Sequence, residues 1–169
     1  MKRGLLLLST FASLALALPS LTGASNGNKP NRNITLDQGD ATIEDQCAFP
    51  VFVHIEGREI DTTFTVKDRT VAKLIGIFPG NRWTLTNLDT GKSITVGSTS
   101  SFHLQVEPDG SESVMVVGQG VWAFGNPLTG EPGIWYQKGQ VSGEFDAEGN
   151  AISTKGTGSL VNLCPELGA

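Results

Sequence analysis

The stretch that decides the fold is Cys47-Ala48-Phe49-Pro50-Val51-Phe52-Val53-His54-Ile55-Glu56. Its odd positions from Cys47 to Ile55 share one face, whereas Phe52, His54 and Glu56 share the other. This period of two predicts a β-strand with one face in a hydrophobic core. Cys47 and Cys164 are the two cysteines of the chain, so this strand is a candidate for joining the start of a domain to its end.

The N-terminus has the pattern of a secretory signal peptide. Lys2 and Arg3 precede an apolar run from Leu5 to Leu18, and the small residues Thr22-Gly23-Ala24 follow it. This order predicts cleavage after residue 24 and a secreted, extracellular protein. The run is shorter than the roughly 20 apolar residues of a membrane span. The alternative is an apolar helix that stays in the fold.

Removal of residues 1–24 leaves a chain long enough for one domain with a real core. Residues 25–41 are polar and rich in asparagine, which predicts a flexible N-terminal arm, and residues 42–167 form the predicted domain. The segment 25–41 includes Asn33-Ile34-Thr35, an acceptor pattern for N-glycosylation at Asn33.

The charge of the mature chain argues against some partners. Without Lys2 and Arg3, the 12 basic residues fall to 10 against 17 acidic ones, a net charge of −7. No basic stripe interleaved with aromatic residues is visible, so nucleic acid and anionic membranes are not expected partners. The sequence leaves the oligomeric state open.

The two cysteines of an exported chain predict one disulfide, between Cys47 and Cys164. It would close a loop of 164 − 47 = 117 residues. The alternative, two free thiols in a redox or metal site, lacks a C-x-x-C motif and neighbouring ligands.

With the opening strand counted, the chain reads as about eight strands without helical periodicity. Turn signals recur every eight to twelve residues, as in a β-sandwich or a β-barrel. Glycine pairs inside the last three strands would allow a sheet to coil. They are Gly118 and Gly120, Gly139 and Gly143, and Gly156 and Gly158. We therefore expect an all-β fold, an up-and-down antiparallel barrel, with a sandwich as the alternative.

No catalytic motif is present. His54 and His103 lie opposite the apolar rows, so we interpret them as exposed polar residues, and most carboxylates fall in turns. Glu144 is the one acid deep in a strand, beside polar Ser142. We expect no catalytic residue, no metal site and no cofactor.

The aromatic residues are the better indication of a ligand. An eight-stranded barrel is wide enough either to fill with side chains or to hold one small molecule. A filled core is the alternative to a ligand site. The predicted lining of an apolar ligand site is Trp83, Phe102, Trp122, Trp135 and Phe145.

Several short motifs resemble those of small exported actinobacterial proteins of unknown function. They are Cys47-Ala48-Phe49-Pro50-Val51, Phe102 with Pro108-Asp109-Gly110, Gly118-Gln119-Gly120, Asp146-Ala147-Glu148-Gly149-Asn150 and Leu163-Cys164-Pro165-Glu166-Leu167. The resemblance spans about residues 46–167 and implies a secreted β domain with terminal cysteines, without an activity. The strand pattern is also similar to that of allene oxide cyclase and dirigent barrels at the level of fold.

These observations predict a non-enzymatic secreted barrel that binds a small apolar ligand or a surface partner. One alternative is an enzyme of the allene oxide cyclase or dirigent type, which needs Glu144 or Tyr136 inside the barrel. Another is a structural or interaction protein that meets a partner through residues 126–133 or a sheet edge.

Overall fold

A computed structural model describes residues 30–65 and 71–169. The predicted signal peptide and the first residues of the predicted arm lie outside them. Within the described residues, the chain forms eleven strands and one short helix. The strands are β1 Asn31–Leu36, β2 Gly39–Ile43, β3 Val51–Glu56, β4 Arg58–Thr65, β5 Val71–Phe78, β6 Arg82–Asn87, β7 Ser93–Gly97, β8 Ser100–Val106, β9 Glu112–Trp122, β10 Trp135–Phe145 and β11 Ala151–Asn162. The helix, α1, spans Cys164–Gly168.

The strands form two antiparallel sheets. The large sheet has seven strands in the order β1-β4-β5-β8-β9-β10-β11, and the small sheet has four in the order β2-β3-β6-β7. The prediction of an all-β fold is confirmed. The predicted closed barrel is wrong, because the sheets remain separate and the arrangement resembles a sandwich, which was the stated alternative.

Two pairs of antiparallel strands continue from the large sheet into the small sheet, which explains why the barrel prediction failed. β1 pairs with β4 in the large sheet, and their continuations β2 and β3 pair in the small sheet. In the same way, β5 pairs with β8 in the large sheet, and their continuations β6 and β7 pair in the small sheet. The alternation from Ile94 to Val106 reads as one strand, but the structure divides it at Ser98 and Thr99. A bent strand and a straight one have the same period of two, so the sequence pattern cannot show the bend.

Asn81 holds the corner between the two sheets. Its side chain is fully buried, its Oδ1 accepts a hydrogen bond from the Arg58 backbone N–H at 2.8 Å, and its Nδ2 donates to Asp37 Oδ2. A Cβ at position 57 would overlap the Asn81 side chain, so only glycine fits there. The corner is therefore fixed by a buried amide whose hydrogen bonds are satisfied.

The hydrophobic core lies under the small sheet. Val51, Val53 and Leu85 are fully buried there. They pack with Ile134 and Leu163, which flank β10 and β11, and with Leu167 of α1. The predicted inward face of the opening strand is thus confirmed, since Cys47, Phe49 and Ile55 also contact this cluster.

The predicted disulfide is confirmed. Cys47 and Cys164 are bonded, with their Cα atoms 5.5 Å apart. Lys92 Nζ donates a hydrogen bond of 2.6 Å to the Glu166 carbonyl, and Asn87 Nδ2 donates one of 3.2 Å to the Leu167 carbonyl. These contacts hold the C-terminal helix α1 against the small sheet.

Three in-strand glycines lie in one row across the large sheet. Gly118, Gly139 and Gly158 face one another on β9, β10 and β11, with φ of 114°, 132° and 100°. A Cβ on Gly139 or Gly158 would strike the backbone of the neighbouring strand. The predicted role of glycines in bending the strands is consistent with this row, but the bend does not close a barrel.

Part of the predicted N-terminal arm is ordered into strands. Residues 31–36 form β1 and residues 39–43 form β2. A polar segment can join a sheet through backbone hydrogen bonds without burying its side chains, and the division of the chain into an arm and a domain stays a prediction. Asn33 lies on β1 opposite Asp61, and its glycosylation stays a prediction.

Candidate ligand-binding groove

The structure does not gather the five predicted ligand-binding residues into one site. Trp83 lies on the small sheet and packs against the core. Trp122 and Trp135 are direct partners across β9 and β10. By register, Phe102 and Phe145 share their face of the large sheet, at increasing distance from the tryptophan pair.

We call this side of the large sheet the aromatic face. Its large apolar side chains are partly exposed, and the set is Leu74, Phe78, Phe102, Leu104, Val114, Val116, Trp122, Trp135 and Phe145. The loop of residues 126–133 lies over part of it, where Leu128 contacts Gly156. Because the sheet is open, these residues line a surface rather than a barrel interior.

The tryptophan pair on this face is held by hydrogen bonds. Trp122 Nε1 donates to Gln137 Oε1 at 2.8 Å, and Trp135 Nε1 donates to the Glu131 carbonyl at 3.2 Å. Gln137 is almost fully buried, and its Nε2 donates to the carbonyls of Val116 and Gly139 at 3.1 Å each. Both indole N–H groups are thus occupied, so they serve the structure of the sheet.

The opposite side of the large sheet carries a groove, and we call that side the groove face. The groove has a volume of about 280 Å³ and crosses β5, β8, β9, β10 and β11. Its wall contains a polar set in two adjacent rows of the sheet register. Its polar side chains are Lys73, Gln105, Ser113, Glu144 and Ser153 in one row, and His103, Ser142 and Lys155 in the other, where apolar Met115 lies between His103 and Ser142.

Several polar atoms in the groove are held in place by neighbours. His103 Nε2 lies 3.1 Å from Ser101 Oγ, and Gln105 Nε2 donates to Glu107 Oε1 at 2.6 Å. Ser153 Oγ donates to Glu144 Oε2 at 3.1 Å. The groove thus presents cationic, hydroxyl, amide and imidazole groups together, which suits a polar ligand with several oxygen atoms.

An acidic cluster occupies the corner, away from the groove. Asp37 accepts a hydrogen bond from Asn81 Nδ2, and Glu59 lies close enough to Asp37 and Asp61 to interact with both charges. Burial, and then the negative charges of Asp61 and Asp37, raise the pKa of Glu59 to about 7. Burial also raises the pKa values of Asp37 and Asp61. Neutral Glu59 can donate a hydrogen bond to Asp61, which makes the cluster sensitive to pH near neutrality.

The residues considered for catalysis are dispersed. His54 is exposed, with Nδ1 2.6 Å from Asp40 Oδ1 on β2. Tyr136 donates its hydroxyl hydrogen to Gln119 Oε1 at 3.0 Å, and burial raises the pKa of Tyr136. Glu144 is exposed in the groove. The enzyme alternative needs Glu144 or Tyr136 inside a barrel, and the open sheet provides no such interior.

Neither a metal-binding cluster nor a membrane-spanning helix is found in the part of the chain that the structure describes. No group of three or more His, Cys, Asp or Glu side chains is arranged to hold a metal ion within residues 30–65 and 71–169. Over the same residues, no helix is long and apolar enough to cross a membrane.

Sequence reasoning missed the groove, although a weak signal was present. Polar residues alternate on β8, with His103 and Gln105 two positions apart, and on β10, with Ser142 and Glu144. The pairing that brings these rows together depends on strand register, which the alternation alone does not give. No protein-family model matches this chain, and no match was found among curated proteins or solved structures.

Proposed function

We propose that this chain is a secreted, non-enzymatic binding protein whose groove face receives its ligand or partner. One observation carries the proposal: five strands place polar side chains around one open groove. The rigid sheet positions these side chains, which favours recognition because little ordering is needed on binding.

Amide shifts in a ¹⁵N-labelled sample of the purified, disulfide-bonded protein would test this proposal. We would add four probes separately: a neutral oligosaccharide, an oligogalacturonate, an acidic peptide and a medium-chain fatty acid. At least one probe should shift the amides of His103, Met115 and Ser142 in a saturable way. If all four leave these amides unchanged, the proposed binding surface is wrong.

The aromatic face supports a second candidate, the binding of a small apolar ligand. The supporting observation is the partial exposure of Phe78, Phe102 and Phe145, which lie on one side of an open sheet. Saturable shifts at these residues with the fatty acid alone would favour this second function over the first.

A further inference from the structure

The basic residues are segregated on one side of the large sheet, although the protein is acidic. Five of the seven lysines and arginines in the described residues occupy groove-face positions by register. They are Arg32, Arg58, Lys73, Lys138 and Lys155. The strand positions of the same face hold one acidic residue, Glu144, and Glu107 follows the end of β8.

The acidic residues lie mainly elsewhere. Glu59 and Asp61 point to the other side of β4, and Asp109, Asp146 and Glu148 lie in hairpin turns. The groove face is therefore positively charged, although the protein as a whole has a negative net charge. A surface of one sign attracts partners of the opposite sign and increases their rate of association.

The spacing of the cations indicates an extended anion. Neighbouring strands lie about 4.8 Å apart, which puts Lys73 on β5 and Lys155 on β11 roughly 15–20 Å apart. Arg32 on β1 is roughly 10 Å from Lys73 by the same measure. A small anion cannot reach such separated charges together, whereas a polymer with repeated negative charges can.

The groups between the cations indicate the kind of polymer. His103, Gln105 and the serines at positions 113, 142 and 153 offer donors and acceptors for hydroxyl groups. Nucleic acid without sequence preference is usually held by aromatic stacking. Among the described strand positions of this face, Phe64 and Tyr136 are the two Phe, Tyr or Trp residues, and they lie on β4 and β10, too far apart to form a row of stacking platforms.

We propose that the groove face binds an acidic polysaccharide that carries carboxylate groups. Lysine and arginine side chains meet the carboxylates, and the serine, glutamine and histidine side chains bond to the sugar hydroxyls. This inference rests on the proposed function, since it names the partner class of the same groove. Exposed pairs of charges are weakened by salt beyond a Debye length of about 10 Å at 0.1 M, so binding must fall as salt rises.

Retention on immobilised polygalacturonate tests the inference, with neutral dextran and single-stranded DNA columns beside it. At low salt the purified protein should be retained by polygalacturonate, released as sodium chloride rises, and not retained by dextran. Stronger retention on DNA than on polygalacturonate, or equal retention on dextran, would overturn it.

Matched variants locate the binding surface. Lys155→Gln should weaken the affinity for polygalacturonate by roughly three- to fivefold, as expected for the loss of one partly screened ion contact. Glu144→Gln removes a negative charge from the same face and should strengthen this affinity. Arg82→Gln removes a charge on the small sheet, where Arg82 lies 3.8 Å from Glu56, and should change little. Equal losses in Lys155→Gln and Arg82→Gln would overturn the assignment.

The amide-shift experiment separates failure of the inference from failure of the proposed function. If the neutral oligosaccharide shifts the groove amides but polygalacturonate does not retain the protein, the partner class is wrong and the groove remains a binding surface. If no probe shifts those amides, both proposals fail.

Discussion

Individual residues in this protein act through buried polar contacts that composition does not show. Asn81 fixes the corner by accepting from the Arg58 backbone and donating to Asp37. Near it, burial, and then the negative charges of Asp61 and Asp37, raise the pKa of Glu59 from 4.5 to about 7. The folded protein therefore keeps this proton to higher pH than the unfolded chain, in which Glu59 behaves as an ordinary glutamate.

The first prediction concerns the pH dependence of stability. Between pH 4.5 and 7 the folded state binds more protons at Glu59 than the unfolded state, so its contribution to stability decreases as pH rises. Glu59→Gln should unfold at higher urea than the wild type at pH 8, and the difference should shrink towards pH 5. Glu112→Gln, at an exposed strand end, is the control. An equal gain in stability for Glu59→Gln at pH 5 and pH 8 would contradict the raised pKa of Glu59.

Among the elements, the long strands β9, β10 and β11 depend on their glycine row. Gly118 has a positive φ of 114°, which favours glycine. A Cβ atom at this position would also lie 2.5 Å from the Thr99 carbonyl oxygen. Gly120, two residues later, has ordinary space, with Val116 Cγ1 3.9 Å from a Cβ position. The same residue type thus has different roles in one strand.

The second prediction compares these two glycines by urea unfolding. Gly118→Ala should destabilise the protein by about 1–3 kcal/mol or more, because alanine at this φ is strained and crowded. Gly120→Ala should cost less than about 1 kcal/mol, since glycine in a strand interior gives little packing. A smaller loss of stability in Gly118→Ala than in Gly120→Ala would show that the backbone conformation at Gly118 does not require glycine.

The sequence predicted strands correctly where the alternation of side chains, with its period of two, was enough to locate them. β3 and β5 lie where the alternation of Val51, Val53 and Ile55 and the apolar run from Val71 to Phe78 indicated them. The corner at Gly57 and Asn81 was not predictable, because the bend depends on a hydrogen bond between Arg58 and Asn81, which are 23 positions apart. The groove was missed for a related reason: its rows come from five strands whose register is a tertiary property.

At the scale of the whole molecule, one covalent bond joins the ends of the domain. The Cys47–Cys164 disulfide closes 117 residues of chain beside the core of the small sheet. In the chain-entropy model, a loop near 100 residues contributes about 4–5 kcal/mol to stability, less any strain. Strands β3 to β11 lie between these cysteines in sequence, so the disulfide restricts the unfolded state of most of the domain.

The third prediction is the effect of removing this disulfide. Cys47→Ser should lower the free energy of unfolding by up to about 4–5 kcal/mol under oxidising conditions. It should differ little from the wild type in strong reductant. Cys47→Ser/Cys164→Ser should be no less stable than the single variant. Equal stability of wild type and Cys47→Ser when oxidised would contradict a structural disulfide.

The most direct test of the groove as the binding surface uses Met115, which lines it. The chain has two methionines, Met1 and Met115, and digestion with mass spectrometry reports the sulfoxide of Met115 separately. We predict that polygalacturonate at low salt slows oxidation of Met115 by dilute peroxide several-fold, and that neutral dextran does not. An unchanged oxidation rate with polygalacturonate bound would show that the ligand lies elsewhere and would contradict the account.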